Sequence, residues 1–255
     1  TLAGEGLQHQ DGHSHLVAGT IPNCIAYDPT FAHELAVILH HGMERMYVRQ
    51  ENVFYYVTVM NENYAHPDLP AGVEEGIVRG MYLFREGGRR KKRVQLMGSG
   101  AILREVLAAA DLLEADWGVS ADVWSLTSCN ELGRDGAAAV RWNMLHPLEE
   151  PRVPYVAQQL AGRKGPAVAA TDYVRAYADQ LRPYLGRRYL ALGTDGFGRS
   201  DVRAQLRRFF EVDRYYVAVA ALTALAEEGE VERKVVADAI RKYRVDPEKP
   251  SPATL

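Results

Sequence analysis

The apolar positions of this chain fall into blocks whose period switches between that of a strand and that of a helix. Asn23-Cys24-Ile25-Ala26-Tyr27-Asp28 is an apolar run stopped by Pro29, which predicts a short strand. Thr30 is placed to cap a helix to about Tyr47, with Leu35, Ile38, Leu39, Met43 and Met46 on one face. Asn52 to Met60 is β-branched and aromatic throughout and predicts a strand buried on both faces. Strand, helix and strand at this spacing imply a βαβ unit and a parallel sheet.

From Pro67 to Arg93 the texture turns to Pro, Gly and charge, a linker ending in a hairpin, within which Ile77 to Phe84 could form a strand. A second α/β unit follows. Val94-Gln95-Leu96-Met97 runs as a strand into Gly98-Ser99-Gly100, and Leu103, Val106, Leu107, Ala110 and Leu113 trace one helix face. Ala121 to Leu126 is the next strand, and Asn130 to Leu145 is helical up to Pro147. Ala167 to Ala170 and Tyr189 to Leu192 are short strands flanking a helix from Asp172 to about Leu185. Ser200 or Asp201 caps a helix to Phe210, Asp213 caps another to Gly229, and a last helix spans Glu232 to Tyr243. The expected domains are therefore 1–69, a linker and hairpin at 70–93, and 94–255.

Composition narrows the class. Of 255 residues 47% are hydrophobic and 25% charged, enough to bury a core. A net charge of −3 argues against a general nucleic-acid binder, and the basic run Arg89 to Arg93 lacks aromatic interleaving, so it reads as a solvated turn. Two cysteines, Cys24 and Cys129, cannot build a disulfide framework and suit a reducing, cytoplasmic setting. The longest apolar run, Val217 to Ala226, is too short to cross a bilayer, and no secretory signal opens the chain. The start at Thr1, without Met and inside a Gly/His-rich stretch, reads as the interior of a longer protein.

The densest chemistry lies in that stretch. Between Glu5 and His15 the chain places three histidines (His9, His13, His15) and two carboxylates (Glu5, Asp11). A metal site would draw on these types, with further ligands from His33, His40 or His41, but no HExxH or comparable string is present. A histidine acting as proton donor or hydrogen-bond partner in a glycine-flexible loop is a second reading, and a polar loop around a helix start is a third. Gly98-Ser99-Gly100 could hold an anion or form a tight strand-to-helix turn. Gly193 to Asp201 (GTDGFGRSD) could be a contact loop or a rigid connection.

Taken together, GEGLQHQDGHSH, IPNCIAYDP, NVFYYVTVMNENY, PAGVEEGIVRGMY, RWNMLHPLEEPRVPY and GTDGFGRSD resemble the C-terminal part of the homodimeric bacterial pyruvate dehydrogenase E1 family. The last string is also similar to the D-x-F-G-x-S string of the wider transketolase superfamily. The resemblance implies an α/β fold: the C-terminal part of a thiamin diphosphate-binding pyrimidine domain, then a transketolase-like C-terminal domain. It implies decarboxylation of pyruvate on thiamin diphosphate with Mg²⁺, then reductive acetylation of a lipoyl group on the E2 acyltransferase. It further implies a cytoplasmic homodimer within a multienzyme complex, with no nucleic-acid or membrane partner.

By the same resemblance His9 is the active-site histidine that hydrogen-bonds the substrate or intermediate, and Glu5 supports it from the same loop. His13 and His15 fall in the matched string as the start of a helix. The loop around Asp195 belongs to a domain that packs at the dimer. The GDG…N string that holds Mg²⁺ and diphosphate, the glutamate that activates the aminopyrimidine and the aromatic residue that stacks on it are all expected upstream of Thr1. Alone, this portion is expected neither to bind the cofactor tightly nor to decarboxylate pyruvate. Two rival expectations are a non-catalytic dimerisation or regulatory module and a metal-dependent hydrolase built on the His9–His15 cluster.

Overall fold

Two sheets form, one at each end of the apolar pattern. The computed structural model describes residues 1–4 and 6–255; Glu5 lies outside the described residues. A 3₁₀ turn, Leu7–His9, leads to α1 (Ser14–Gly19), so the expected Gly/His loop contains a helix. Strand β1 (Cys24–Tyr27), helix α2 (Ala32–Met43), extended by the π-helical turn Glu44–Val48, and strand β2 (Phe54–Val57) complete the βαβ unit. The two strands pair in parallel, Cys24 opposite Phe54 and Tyr27 opposite Val57. β2 is shorter than expected and is not buried on both faces; Phe54 is exposed and its neighbours half-buried.

α2 also departs from its expected face. The buried line is Glu34, Ile38 and Gly42, whereas Leu39 and Met43 are 49% and 53% exposed. Gly42 lets the helix lie against Tyr55, whose ring would be 3.2 Å from an added Cβ. Thr30 is not the side-chain cap either. The Glu34 carboxylate reaches back to accept from the Thr30 and Phe31 amides at 2.6 and 3.0 Å, while the Thr30 hydroxyl donates to Gly100 O.

Helix α3 (Glu74–Arg79) ends at Gly80, whose φ of +106° turns the chain into β3 (Met81–Arg85). The elements that follow are β4 (Lys92–Gly98), α4 (Leu103–Trp117), β5 (Val119–Leu126), α5 (Cys129–Leu145) and α6 (Tyr155–Leu160). Then come β6 (Ala167–Ala170), α7 (Arg175–Asp179), α8 (Arg182–Leu185), β7 (Tyr189–Leu192), α9 (Arg203–Phe209), α10 (Arg214–Glu227) and α11 (Arg233–Lys242). The second sheet has the order β3-β5-β4-β6-β7, parallel except for the edge strand β3. β3 and β4 do not form a hairpin, because β5 lies between them. The expected helix 172–185 is two short ones, with Pro183 at the start of α8.

Alternation along β4 sorts the core into two layers. Val94 and Leu96 pack with Val106 and Leu113 of α4 and Val217 and Ala221 of α10. Met97 packs on the other face with Trp124, Leu132 and Tyr177, beneath α5 to α8. Asp213 caps α10 through the Tyr215 and Tyr216 amides, as its position predicts. Asp201 accepts the amide of Val202, the residue that precedes α9, and gives α9 no side-chain cap. Among the described residues no helix is long and apolar enough to cross a membrane.

Candidate functional site

The parallel strands deliver their carboxyl ends to one side of the second sheet, where open α/β folds bind ligands. At the point where strand order reverses, between β4 and β6, the crevice is already filled. Ser99, just past β4, donates to Asp28 Oδ2 at 2.9 Å and lies 2.9 Å from the Thr171 hydroxyl, just past β6. Gly100 (φ +49°) donates its N–H to Asp28 O at 3.1 Å, and a Cβ there would lie 2.6 Å from Asp28 Oδ2. The Gly98-Ser99-Gly100 turn thus holds a carboxyl group of the protein itself, and Asp28 joins the first unit to the second.

The open cleft is displaced to the β6/β7 end. Its volume is about 790 Å³, and its walls come from both units. One wall carries His9, Gln10 and His13 with Thr58 to Met60; the other carries Tyr173, Phe197 and Arg199. His9 is exposed at the end of its 3₁₀ turn, with its N–H donated to Gly6 O at 3.0 Å. Gln10 joins the walls, since its carboxamide exchanges two hydrogen bonds with the Arg199 backbone. Gly12 O accepts the Val174 N–H at 3.0 Å. Phe197, 78% exposed, stands at the mouth.

The remaining residues of the histidine string part company. Asp11 caps the first turn of α1, accepting from the His13 and Ser14 amides at 2.9 and 3.0 Å and from the Ser14 hydroxyl. Burial would raise its pKa, but those hydrogen bonds, the Ser14 hydroxyl first, hold it below the ordinary aspartate value. His15 turns inward and is fully buried among Tyr56, Tyr173 and Tyr177, with Nε2 2.9 Å from Thr58 Oγ1. Burial pushes its pKa down to about 4. Thr58 Oγ1 in turn donates to Asp28 Oδ1 at 2.8 Å, so the bond to His15 is made by an Nε2–H, and Nδ1 has no partner among the described residues. Burial raises Asp28 to about 7 against the hydrogen bonds from Thr58 and Ser99.

Among the described residues no three His, Cys, Asp or Glu side chains converge as a metal site, and the hydrolase reading has no ligand set there. Of the two proposed site residues, His9 stands on the cleft wall and Glu5 lies outside the described residues. Cys129 is buried, its thiol pKa raised by burial, beneath Tyr177. In the basic turn Arg90 pairs with Glu114 and Arg93 with Asp122. Sequence reading missed Gln10, Asp28 and Thr58. A neutral amide or hydroxyl carries no signal until its partner is known, and the Asp28–Ser99 contact spans 71 residues.

Residues 1–67 match the pattern of the pyruvate dehydrogenase E1 component middle domain, and residues 80–213 that of the transketolase-like C-terminal domain. The pyruvate dehydrogenase E1 component of Cupriavidus necator is 60% identical over the whole chain, and those of Pseudomonas aeruginosa and Escherichia coli are 59% and 58% identical over 99% of it. The chain spans 28–29% of the length of these relatives. Among solved structures a Pichia stipitis transketolase superposes with a TM-score of 0.61 at 16% identity, covering 89% of this chain and 29% of its own. A Campylobacter jejuni transketolase gives 0.59 at 15%, covering 87% of this chain and 29% of its own. The chain belongs to the transketolase-like C-terminal domain family, joined at its start to a segment of the pyruvate dehydrogenase E1 middle-domain type.

Proposed function

We propose that this chain is the C-terminal portion of a pyruvate dehydrogenase E1 component. The whole enzyme decarboxylates pyruvate on thiamin diphosphate with Mg²⁺ and transfers the two-carbon unit to the lipoyl group of an E2 acetyltransferase. In this reading the enzyme is a cytoplasmic homodimer, residues 1–69 close its pyrimidine domain, and the C-terminal domain expected over 94–255 also takes in β3. The observation that carries the proposal is His9 standing exposed on the wall of a two-sided cleft, in a chain 60% identical to such an enzyme along its length.

The described residues do not fit the Mg²⁺–diphosphate end of the cofactor. Asp11, the carboxylate nearest His9 in sequence, has both oxygens occupied by the first turn of α1, and no cluster of donors converges nearby. What the chain supplies is an imidazole able to donate a hydrogen bond or a proton to a substrate oxygen, with Glu5 assigned a supporting role. Such a group contributes on the order of 10²–10⁴-fold to turnover.

In the full-length enzyme His9→Ala is expected to lower pyruvate–ferricyanide turnover roughly tenfold or more, with the melting profile retained. Wild-type kinetics in that variant would remove His9 from the mechanism.

A further inference from the structure

His9 is held in place by its neighbours. Among the described residues its imidazole makes no hydrogen bond; only its backbone N–H is tied, to Gly6 O. The nearest fixed point is Gln10. Its Oε1 accepts the Arg199 N–H at 2.6 Å, and its Nε2 donates back to the Arg199 carbonyl. A carboxamide is suited to this, because it offers a donor and an acceptor side by side to one peptide unit.

The object it grips is closely held. At Gly198 a Cβ would stand 2.8 Å from Gln10 Oε1 and 3.0 Å from its Cβ, so the loop backbone must be bare for the amide to reach it. Gly196, at φ +100°, passes so close to Pro252 that a Cβ would lie 2.2 Å from its carbonyl oxygen. Asp195 Oδ1 accepts the Arg175 N–H at 2.8 Å, and Thr194 N–H donates to Tyr173 O at 2.8 Å. Thr194 and Asp195 are thus tied to the segment that follows β6, Gly196 lies against Pro252, and the His9 turn is fastened to the same loop at Arg199.

We infer that Gln10 is a positioning residue for His9, and that the 193–201 loop is a working wall of the catalytic cleft. The inference rests on the reading of His9 proposed above. A group displaced by about 1 Å from its reacting partner can lose up to ~10²-fold in rate, and Gln10 is the contact that keeps His9 from such displacement.

The test is a double-mutant cycle in the full-length enzyme, read as pyruvate–ferricyanide kcat. Gln10→Ala is expected to lower kcat roughly tenfold with an unchanged far-UV spectrum, and to cost less than about twofold more in a His9→Ala background. Gly198→Ala, which breaks the same clasp from the opposite wall, is expected to reproduce the Gln10→Ala loss and to be equally silent without His9. Damage to the fold would instead multiply with the His9 loss. The inference is overturned by a wild-type rate in Gln10→Ala, or by losses that multiply in the double variant. Wild-type activity in His9→Ala overturns the reading of His9 itself and carries this inference with it.

Discussion

Thr58 Oγ1 lies between two groups that burial forces toward neutrality from opposite directions. Asp28 is raised to about 7 from an ordinary 3.8, first by burial and further by the charges of Asp172 and Glu34, against the hydrogen bonds from Thr58 and Ser99. His15 is lowered by burial to about 4 from 6.5, slightly offset by Asp11. Between pH 3.8 and about 7 the unfolded chain releases the Asp28 proton while the folded chain keeps it, so this residue's contribution falls as pH rises. Between about 4 and 6.5 the unfolded chain takes up a proton that folded His15 refuses, so its contribution falls as pH falls. The two slopes oppose each other over most of that range. Relative to wild type, His15→Gln should therefore gain stability on going from pH 6.5 down to 4, by on the order of 3 kcal/mol. Asp28→Asn should gain it in the other direction, from pH 4 up to 7. Urea midpoints at a series of pH values read both, and difference curves without slope would refute the assignment. At this scale the sequence marks candidates by type alone. By residue type alone His9 and His15 look equivalent and only the family resemblance separated them; in the structure His9 faces the cleft, while His15, inside α1, turns to the core.

At the scale of elements, local signals were the legible ones. α4, α5 and α10 stand close to where apolar period, cap and stop residues put them. The failures came where a distant partner decides. β3 is an edge strand of the second sheet because β5 offers it an antiparallel partner about 40 residues on, which its own Pro/Gly-rich surroundings do not announce. The apolar period of α2 identified a helix but not the side that would be covered. Its buried side turns on Glu34, whose carboxylate takes two amides at its own N-terminus, the Tyr82 hydroxyl at 2.8 Å from β3 and the Ser125 hydroxyl at 2.6 Å from β5. One side chain thereby starts a helix in the first unit and docks it on the sheet of the second. Glu34→Ala would leave four buried donors without that acceptor, and should destabilise the chain by about 3 kcal/mol or more. A urea titration showing a loss under about 1 kcal/mol would mean that the donors find other partners.

Across the whole molecule the two units are also clamped just beyond β2. Asn61 and Glu62, shortly after β2, are gripped by helices of the second unit. Glu62 accepts from Arg104 at 2.7 Å and Arg207 at 2.5 Å, and Arg203 holds Asn61 O and Oδ1 at 3.0 and 2.8 Å. The chain of charge continues inward, with Arg207 3.5 Å from Glu105 and Glu105 held by Arg214 at 2.8 Å. Arg207 is 5% exposed, and carboxylates face its guanidinium from both units, Glu62 from the first and Glu105 from the second. Burial would raise the Glu62 pKa, but Arg207 and then Arg104 outweigh it and hold the group below the ordinary glutamate value. A carboxylate lowered on folding stabilises in full above the ordinary value and loses that contribution as pH falls through the lowered one. Glu62→Gln removes the anion while keeping the shape, and leaves Arg207 buried with the more distant Glu105 alone. The expected cost is about 3 kcal/mol at neutral pH, shrinking on acidification as wild-type Glu62 itself becomes protonated. Urea unfolding at neutral and acidic pH reads both parts. A loss that is equal at the two pH values would show that the clamp acts through shape and not through charge.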